Sequence, residues 1–508
     1  MTTSEPTDRC YWTEIARDAG SGGENLRGEI EADVAIIGGG IVGIVAARLL
    51  KDRGQRVAVV ESGRAGFGVT GRSTAKVTAQ HATYLQRIEQ GHGADAARAY
   101  AQANRTGVDL VEELTRKHNL KCDLEPADSW VYATSEDGER KLEDERAAAE
   151  RAGLPMQMVR ETELTYPVRA ALRLSDQRQF QPADFVAQLA ATLPGDGSFL
   201  FEHCAAIDWS ETKVCTAHGE IRARHVIMAT HLPLGQVGQF HAHNSPHMHA
   251  VMAVPVTPDR APAGMYISVD PPKRSLRSYR RENGETVLIL TGPTFTHGDA
   301  AAEAKGFAEL EQFAREHFGC RGGGYRWTNE DYSPRDGLPY VGWAGSAGKS
   351  LLVATGFDAW GLSNGAVAGL ILADLCEGRE NDWAACFDAS RHSLKGLGKL
   401  ASTAASFVGD LVGDHARRAP RPDSGKLEEG QIVDLGGRAG GVYRCEGELR
   451  AVSAVCTHMG CLVGWNPVDR SWDCPCHGSR FADDGRVIHG PATEPLAAIA
   501  LPDAKEDE

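Results

Sequence analysis

The sequence predicts an α/β fold followed by a small all-β domain, and three observations carry that prediction. A strand, glycine turn, helix and second strand begin at Asp33; strand-like and helical pieces then alternate to about residue 390; and composition changes over 391–425, after which the chain is Gly-rich with short strand-like runs. The segment 391–424, rich in Gly, Ala and Ser and then in Arg and Pro, reads as a linker between residues 1–390 and residues 425–508.

Residues 1–31 read as a polar lead-in with one aromatic pair, Tyr11 and Trp12. Val34, Ala35, Ile36 and Ile37 form a short buried strand, and Gly38, Gly39 and Gly40 a tight turn. Ile41, Ile44, Val45 and Leu49 have helical spacing, and Gly54 stops that helix. Val57, Ala58, Val59 and Val60 form a second buried strand ending at Glu61. The pattern is largely helical from about 85 to 165, with a charged, solvated face at 141–151. Further on, 287–290 and 351–353 read as buried strands and 366–375 as an apolar helix, and no segment repeats.

The chain has 508 residues, 42% hydrophobic and 24% charged, as in ordinary globular proteins. Lys and Arg number 54 against 69 Asp and Glu, a net charge of −15. That balance argues against sequence-independent nucleic-acid binding, which needs basic surface to neutralise phosphate. No apolar run approaches the ~20 residues of a membrane-spanning helix, and residues 1–20 are polar without twin arginines. The expected location is the cytoplasm. Of the 12 cysteines, eight are scattered and read as mostly small buried hydrophobes. The other four, Cys456, Cys461, Cys474 and Cys476, lie close to His458 and His477, a grouping that points to a metal.

Gly38 to Gly43 reads G-x-G-x-x-G between a strand and a helix, with Glu61 closing the next strand about 20 residues on, the context of a dinucleotide site. Gly38 permits the turn, Gly40 lets backbone approach a pyrophosphate, and Gly43 lets helix and strand pack closely. The helix N-terminus offers free N–H groups to phosphate. Glu61 can accept hydrogen bonds from a ribose, and its charge disfavours a 2′-phosphate.

Three further segments resemble the FAD-dependent oxidoreductases of the D-amino-acid oxidase and glycine oxidase superfamily. Gly66-Phe67-Gly68-Val69-Thr70-Gly71-Arg72-Ser73-Thr74 matches a loop under the flavin. Val226-Ile227-Met228-Ala229-Thr230 is similar to the strand returning to the FAD domain. Asp336-Gly337-Leu338-Pro339-Tyr340-Val341-Gly342 resembles D-G-x-P-x-I-G, followed by Ala354-Thr355-Gly356-Phe357, Gly361 and Asn364-Gly365-Ala366. The resemblance covers roughly residues 30–385. It implies a Rossmann-like FAD domain of glutathione-reductase type, from segments near 30–85, 185–235 and 335–385, with a mixed-sheet α+β substrate domain between them. The implied FAD contacts are Gly38, Gly40, Ile41, Val42, Gly43, Glu61 and Ser62 at the first turn. Gly71, Arg72, Ser73, Thr74, Ala229 and Thr230 follow, then Gly356, Phe357, Gly361, Leu362 and Asn364.

In the last segment, Cys456-Thr457-His458 and Cys474-Pro475-Cys476-His477 give C-x-H and C-x-x-H. Two Cys and two His also suit tetrahedral Zn, but a one-residue C-x-H gap is unlike zinc-finger spacing. The segment 425–502 resembles a Rieske [2Fe-2S] domain, in which two Cys hold one iron and two His the other. The resemblance makes Cys456, Cys474, His458 and His477 the cluster ligands. It also implies a disulfide between Cys461 and Cys476 and a covering loop at Gly490-Pro491-Ala492. Ser479 keeps a hydroxyl near the cluster. Phe481 stands where high-potential relatives carry a Tyr that bonds a ligand sulfur, which predicts a lowered potential.

That oxidase family often holds a substrate carboxylate with an Arg five residues before its D-G pair, where this chain has Asp331. Asp331 with its neighbour Tyr332, facing a cationic amine, and Arg277, as a replacement clamp from the set Arg274, Arg277, Arg280 and Arg281, are the candidate catalytic residues. The arginines otherwise suit a solvated strand edge. His241, His243, His247 and His249 form two H-x-H pairs, read as a polar strand rather than a metal site.

The expected activity is oxidation of a C–N or C–O bond of a small molecule, with electrons leaving through the cluster to a one-electron carrier such as a ferredoxin or cytochrome. Alternatives are the reverse flow, from a ferredoxin-like donor to FAD for reduction or monooxygenation, and a redox-sensing module without turnover. Rieske oxygenase chemistry needs a further iron domain with two His and one carboxylate, for which the sequence leaves no room. Because every FAD motif precedes the linker, flavin binding is expected to survive loss of 425–508.

Overall fold

The computed structural model describes residues 6–20, 26–345, 351–394 and 427–501. Most of the expected linker therefore lies outside the described residues. A six-stranded sheet runs in the order Tyr340–Trp343, Leu351–Thr355, His225–Met228, Val34–Ile37, Val57–Val60, Phe199–Phe201, parallel except at its first pair. Val34–Ile37 and Val57–Val60 are buried at every position, as strands covered on both faces must be. The helices Ile41–Asp52 and Gly361–Cys376 pack closely, because a Cβ at Gly369 would lie 2.8 Å from Val45 Cγ1.

The second layer is a ten-stranded mixed sheet. Its centre is Tyr325–Pro334, Asn244–Pro255, Thr286–Phe295 and Ser275–Arg280, antiparallel throughout. The segment read as largely helical does form helices Tyr84–His92, Ala94–Lys117 and Glu136–Arg151, but Glu125–Ala133 is a strand of this sheet. Its Trp130-Val131-Tyr132 run pairs with Met265–Ser268 and Ala170–Gln179, and that tertiary pairing outweighs local pattern. The lead-in is also less polar than expected: Tyr11 and Trp12 are fully buried, and Trp12 Nε1 donates to the Ser73 carbonyl at 2.9 Å. Of the scattered cysteines, Cys10, Cys122, Cys204 and Cys320 are buried, while Cys215, Cys376, Cys386 and Cys445 are partly so.

Residues 427–501 form two four-stranded antiparallel sheets, one of Ile432–Asp434, Ala439–Cys445, Glu448–Ser453 and Ala498–Ile499, the other of Gly464–Asn466, Ser471–Asp473, Arg480–Ala482 and Val487–His489. The second sheet docks on the ten-stranded sheet through buried charge. Asp469 accepts from Arg72 at 2.6 Å, Thr328 Oγ1 at 2.6 Å and Arg480 at 2.8 Å, and Arg480 also donates to Asp473 at 3.0 Å. Backbones meet as well, for a Cβ at Gly464 would fall 2.2 Å from the Gly298 carbonyl oxygen. Among the described residues no helix is long and apolar enough to cross a membrane.

Candidate functional site

Cys456 and Cys474 each begin a loop of one design. Gly460 N donates to the Cys456 carbonyl and Gly478 N to the Cys474 carbonyl, both at 3.0 Å, and both glycines have positive φ, 79° and 76°. The loops thus present Cys456 with His458, and Cys474 with His477, from matching positions. Both thiols are buried, and the imidazole rings lie 5.1 Å apart and nearly perpendicular. The Nδ1 atoms of His458 and His477 are buried without a hydrogen-bond partner. Burial first, then the nearby His241 and His458 rings, pushes His477 down to about 3, so it stays neutral, the form that ligates. Two thiols and two orphaned imidazole nitrogens fit a Rieske cluster. Cys461 and Cys476 are joined by a disulfide, Cα atoms 6.5 Å apart, tying the loops together. Ser479 Oγ accepts from Ala492 N at 3.0 Å, which fixes the third loop beside them.

The imidazole edge faces the first part of the chain. His241 lies 5.0 Å from the His458 ring and 5.1 Å from the His477 ring, and Gln236 Nε2 is 3.3 Å from His458 Nε2. His241 and His243 belong to a short helix, Phe240–His243, rather than to a strand; only His247 and His249 lie in Asn244–Pro255.

A cavity of about 960 Å³ lies between the two large sheets, a size suited to cofactor sites. Gly38, Gly40, Ile41, Val42, Glu61, Ser62, Ser73, Thr74, Ala229, Thr230, Phe357, Gly361 and Leu362 line it. Glu61 Oε2 accepts from Gly39 N and its Oε1 from Gly63 N, each at 2.7 Å, which leaves acceptor capacity on both oxygens. A backbone cradle, a carboxylate at the second strand and a long apolar chamber fit a flavin dinucleotide.

Five expected contacts stand behind the wall instead. A Cβ at Gly43 would meet the Gly38 carbonyl oxygen at 2.1 Å, and one at Gly71 the Gly66 oxygen at 2.1 Å, so both shape loops. Gly356, at φ 77°, packs against Asn244. Asn364 Nδ2 donates to Tyr100 OH at 3.2 Å. Arg72 turns away to Asp469.

The expected catalytic residues also separate. Asp331 lines the cavity, with Oδ1 accepting from Tyr332 N at 2.8 Å and Oδ2 from Ala359 N at 2.6 Å. Tyr332 does not line it. The Tyr332 side chain runs the other way, as strand alternation requires, and its hydroxyl donates to the His477 carbonyl at 3.2 Å. Gly478 makes room for it, since a Cβ there would lie 2.3 Å from that hydroxyl. Arg277 is no clamp. It is fully buried in a central strand, 4.9 Å from the Trp12 ring centroid, donates to the Phe180 carbonyl at 3.1 Å, and does not line the cavity. Ser275–Arg280 pairs on both sides, so the expected solvated edge is a central strand.

Several wall residues went unread. Lys76 bonds the Ser275 hydroxyl, and burial, then the Arg277 charge, pushes it down to about 7. Burial raises Asp358 to about 7, where it accepts from the Tyr84 and Ser333 hydroxyls. His231 and, from the C-terminal domain, His489 complete the polar wall, beside His247 and His249 of the strand already read as polar. Only their closeness to recognised motifs, as His231 follows Thr230, could have flagged them.

Comparison with known proteins agrees with this geometry. The family model described as DAO, FAD dependent oxidoreductase, matches residues 33–375, and the Rieske [2Fe-2S] domain model matches 420–500. YhfW of Bacillus subtilis strain 168, a Rieske 2Fe-2S iron-sulfur protein by name, is 32% identical over 486 residues, 94% of this chain and 95% of the relative. Gamma-glutamylputrescine oxidoreductase of Escherichia coli K12 is 26% identical over 221 residues, 42% of this chain and 52% of the relative. Glycine oxidase from Geobacillus kaustophilus shares the fold at TM-score 0.57 and 22% identity, covering 72% of this chain and 99% of that one. The chain belongs to the FAD dependent oxidoreductase family, as an enzyme whose cofactors are FAD and the [2Fe-2S] cluster of a C-terminal Rieske domain.

Proposed function

We propose that the enzyme oxidises a C–N bond of a small amine or amino acid and passes the electrons singly to an external carrier such as a ferredoxin or cytochrome. When bound, FAD supplies the two-electron oxidation and the cluster the one-electron transfer. The observation that carries the reading is the strand Tyr325–Pro334. Its consecutive residues Asp331 and Tyr332 face, respectively, the flavin cavity and the carbonyl of a cluster ligand, so one peptide unit separates the two sites. Asp331 offers the wall's negative charge to an amine, and Lys273 and Arg274 its positive charge to a carboxylate. The named activity of the gamma-glutamylputrescine relative supports an amine rather than an alcohol. Met459, next to His458, is 46% exposed, so the cluster loop reaches the surface where a carrier can approach. The proposed setting is the cytoplasm, where burial of Cys461 protects the disulfide from thiols.

The test is anaerobic. Amines, amino acids and hydroxy acids are screened for bleaching of flavin absorbance, with the reduced cluster followed by its paramagnetic resonance. Bleaching followed by cluster reduction is the expected result. Cluster reduction by a reduced ferredoxin, with no substrate bleaching the flavin, would establish the reverse flow instead. Neither response would leave a sensing role.

A further inference from the structure

At the wall of the flavin cavity, where the C-terminal domain meets it, three side chains from three separate segments converge. His489 Nδ1 lies 2.7 Å from Glu330 Oε1, His231 Nδ1 lies 3.7 Å from the same oxygen, and the three ligand atoms are all within 4.8 Å of one another. Glu330 is 1% exposed and its Oε1 pairs with His489 Nδ1, while His231 Nδ1 is buried without a hydrogen-bond partner. A buried imidazole nitrogen left without a partner and aimed at a buried carboxylate is costly unless something fills the space between them.

We propose that His231, Glu330 and His489 bind one divalent first-row transition-metal ion, a two-histidine, one-carboxylate site distinct from the Rieske cluster. Such ions take imidazole nitrogen and carboxylate oxygen at about 2.0–2.2 Å, which sets donors roughly 3 Å apart. The observed separations need only small side-chain rotations to reach that. The surroundings are those of a metal site. His231 Nε2 faces Asp331 Oδ1 at 3.6 Å, the carboxylate that orients a ligating histidine through its other nitrogen, and Glu330 Oε2 lies 3.3 Å from His297 Nε2. The nearby cation Arg480 is engaged by Asp469 and Asp473 and leaves Glu330 its charge. His231 and His489 line the cavity, which gives an ion an entry path and open coordination positions. Because His489 comes from the Rieske domain and the other two from the oxidoreductase part, the site is complete only when the parts are docked. Nothing local in the sequence points to it, because the three residues are separated by 99 and 159 positions (231 to 330, 330 to 489).

The test uses the full-length holoenzyme. Protein is exposed to a mild chelator, desalted, loaded with Zn²⁺, and assayed for metals and acid-labile sulfide. The expected result is one Zn²⁺ per chain beyond an iron-to-sulfide ratio of one, held by nitrogen and oxygen ligands in its X-ray absorption spectrum. The extra ion should be lost in His489→Ala and in His231→Ala with the cluster spectrum kept. No extra metal in the wild type, sulfur ligation of the extra Zn²⁺, or equal retention by both variants would overturn the proposal. Should a variant fail to fold, the wild-type stoichiometry and ligand set still decide.

Discussion

The two cofactor sites are built on opposite principles. The cluster site is a group of side chains, with Cys456, His458, Cys474 and His477 as its expected ligands, from two loops within 22 positions of one another. The cavity that fits the flavin is framed by glycine turns and backbone, on segments from Gly38 to Leu362 that only the folded sheet brings together. A side-chain site depends on residue identity at a few positions. A backbone site depends on the absence of side chains, and so on glycine.

Removing a ligand from the first site should have the largest effect. Cys474→Ser is expected to eliminate iron and acid-labile sulfide while FAD stays near one per chain, measured by chemical assay. Loss of flavin as well would show that the sites do not stand apart. The converse change is Gly43→Val. Its side chain would strike the Gly38 carbonyl, 2.1 Å from the Cβ position, so flavin content should fall at least tenfold with the cluster spectrum intact. Normal flavin content would mean that the turn yields, and that the backbone is less strictly read than its packing implies.

A third change probes what joins the two regions. Asp469→Asn leaves Arg72 and Arg480 facing a neutral group in a buried setting, and should cost about 3–5 kcal/mol of unfolding free energy in denaturant titration. A loss below about 1 kcal/mol, the worth of an exposed pair, would mean the interface is wet. The smallest effect concerns tuning. Phe481 is fully buried in the cluster's apolar surround and has no hydroxyl, whereas Tyr332 brings one to the same loop from the other domain. Tyr332→Phe should lower the cluster potential and Phe481→Tyr raise it, each by a fraction of the roughly −150 to +300 mV spanned by Rieske centres. Film voltammetry on both decides, and an unchanged potential in Tyr332→Phe would make that tyrosine a packing residue only.

The same contrast explains what was legible in the sequence. Cys456, His458, Cys474 and His477 could be singled out because C-x-H and C-x-x-H are local and chemically specific, and the fold brings the two loops together. The first turn was readable because Gly38, Gly40 and Gly43 lie in one strand–helix unit. Arg72 was misassigned for a physical reason: its motif position points to flavin, but Asp469, 397 residues on, attracts its charge. Asp331 and Tyr332 looked like one site, yet alternate faces of a strand send them to two. Arg277 looked exposed because nothing local tells a central strand from an edge. Removal of 425–508 is also less innocuous than the linker suggests, since Val487, Ile488, His489, Gly490, Ala492 and Thr493 close the cavity.

The meeting of Gly298 and Gly464 has a consequence for how such a chain can be recombined. At that point neither partner has room for even a methyl group, so a Rieske module transplanted from another protein is expected to seat properly only if it, too, brings a glycine there. The two halves are in that respect a single heritable unit: exchange of either half for one without that glycine should give a chimera whose cofactors are both present and whose halves are held apart, a state that loss of flavin-to-cluster electron transfer with full cofactor content would reveal.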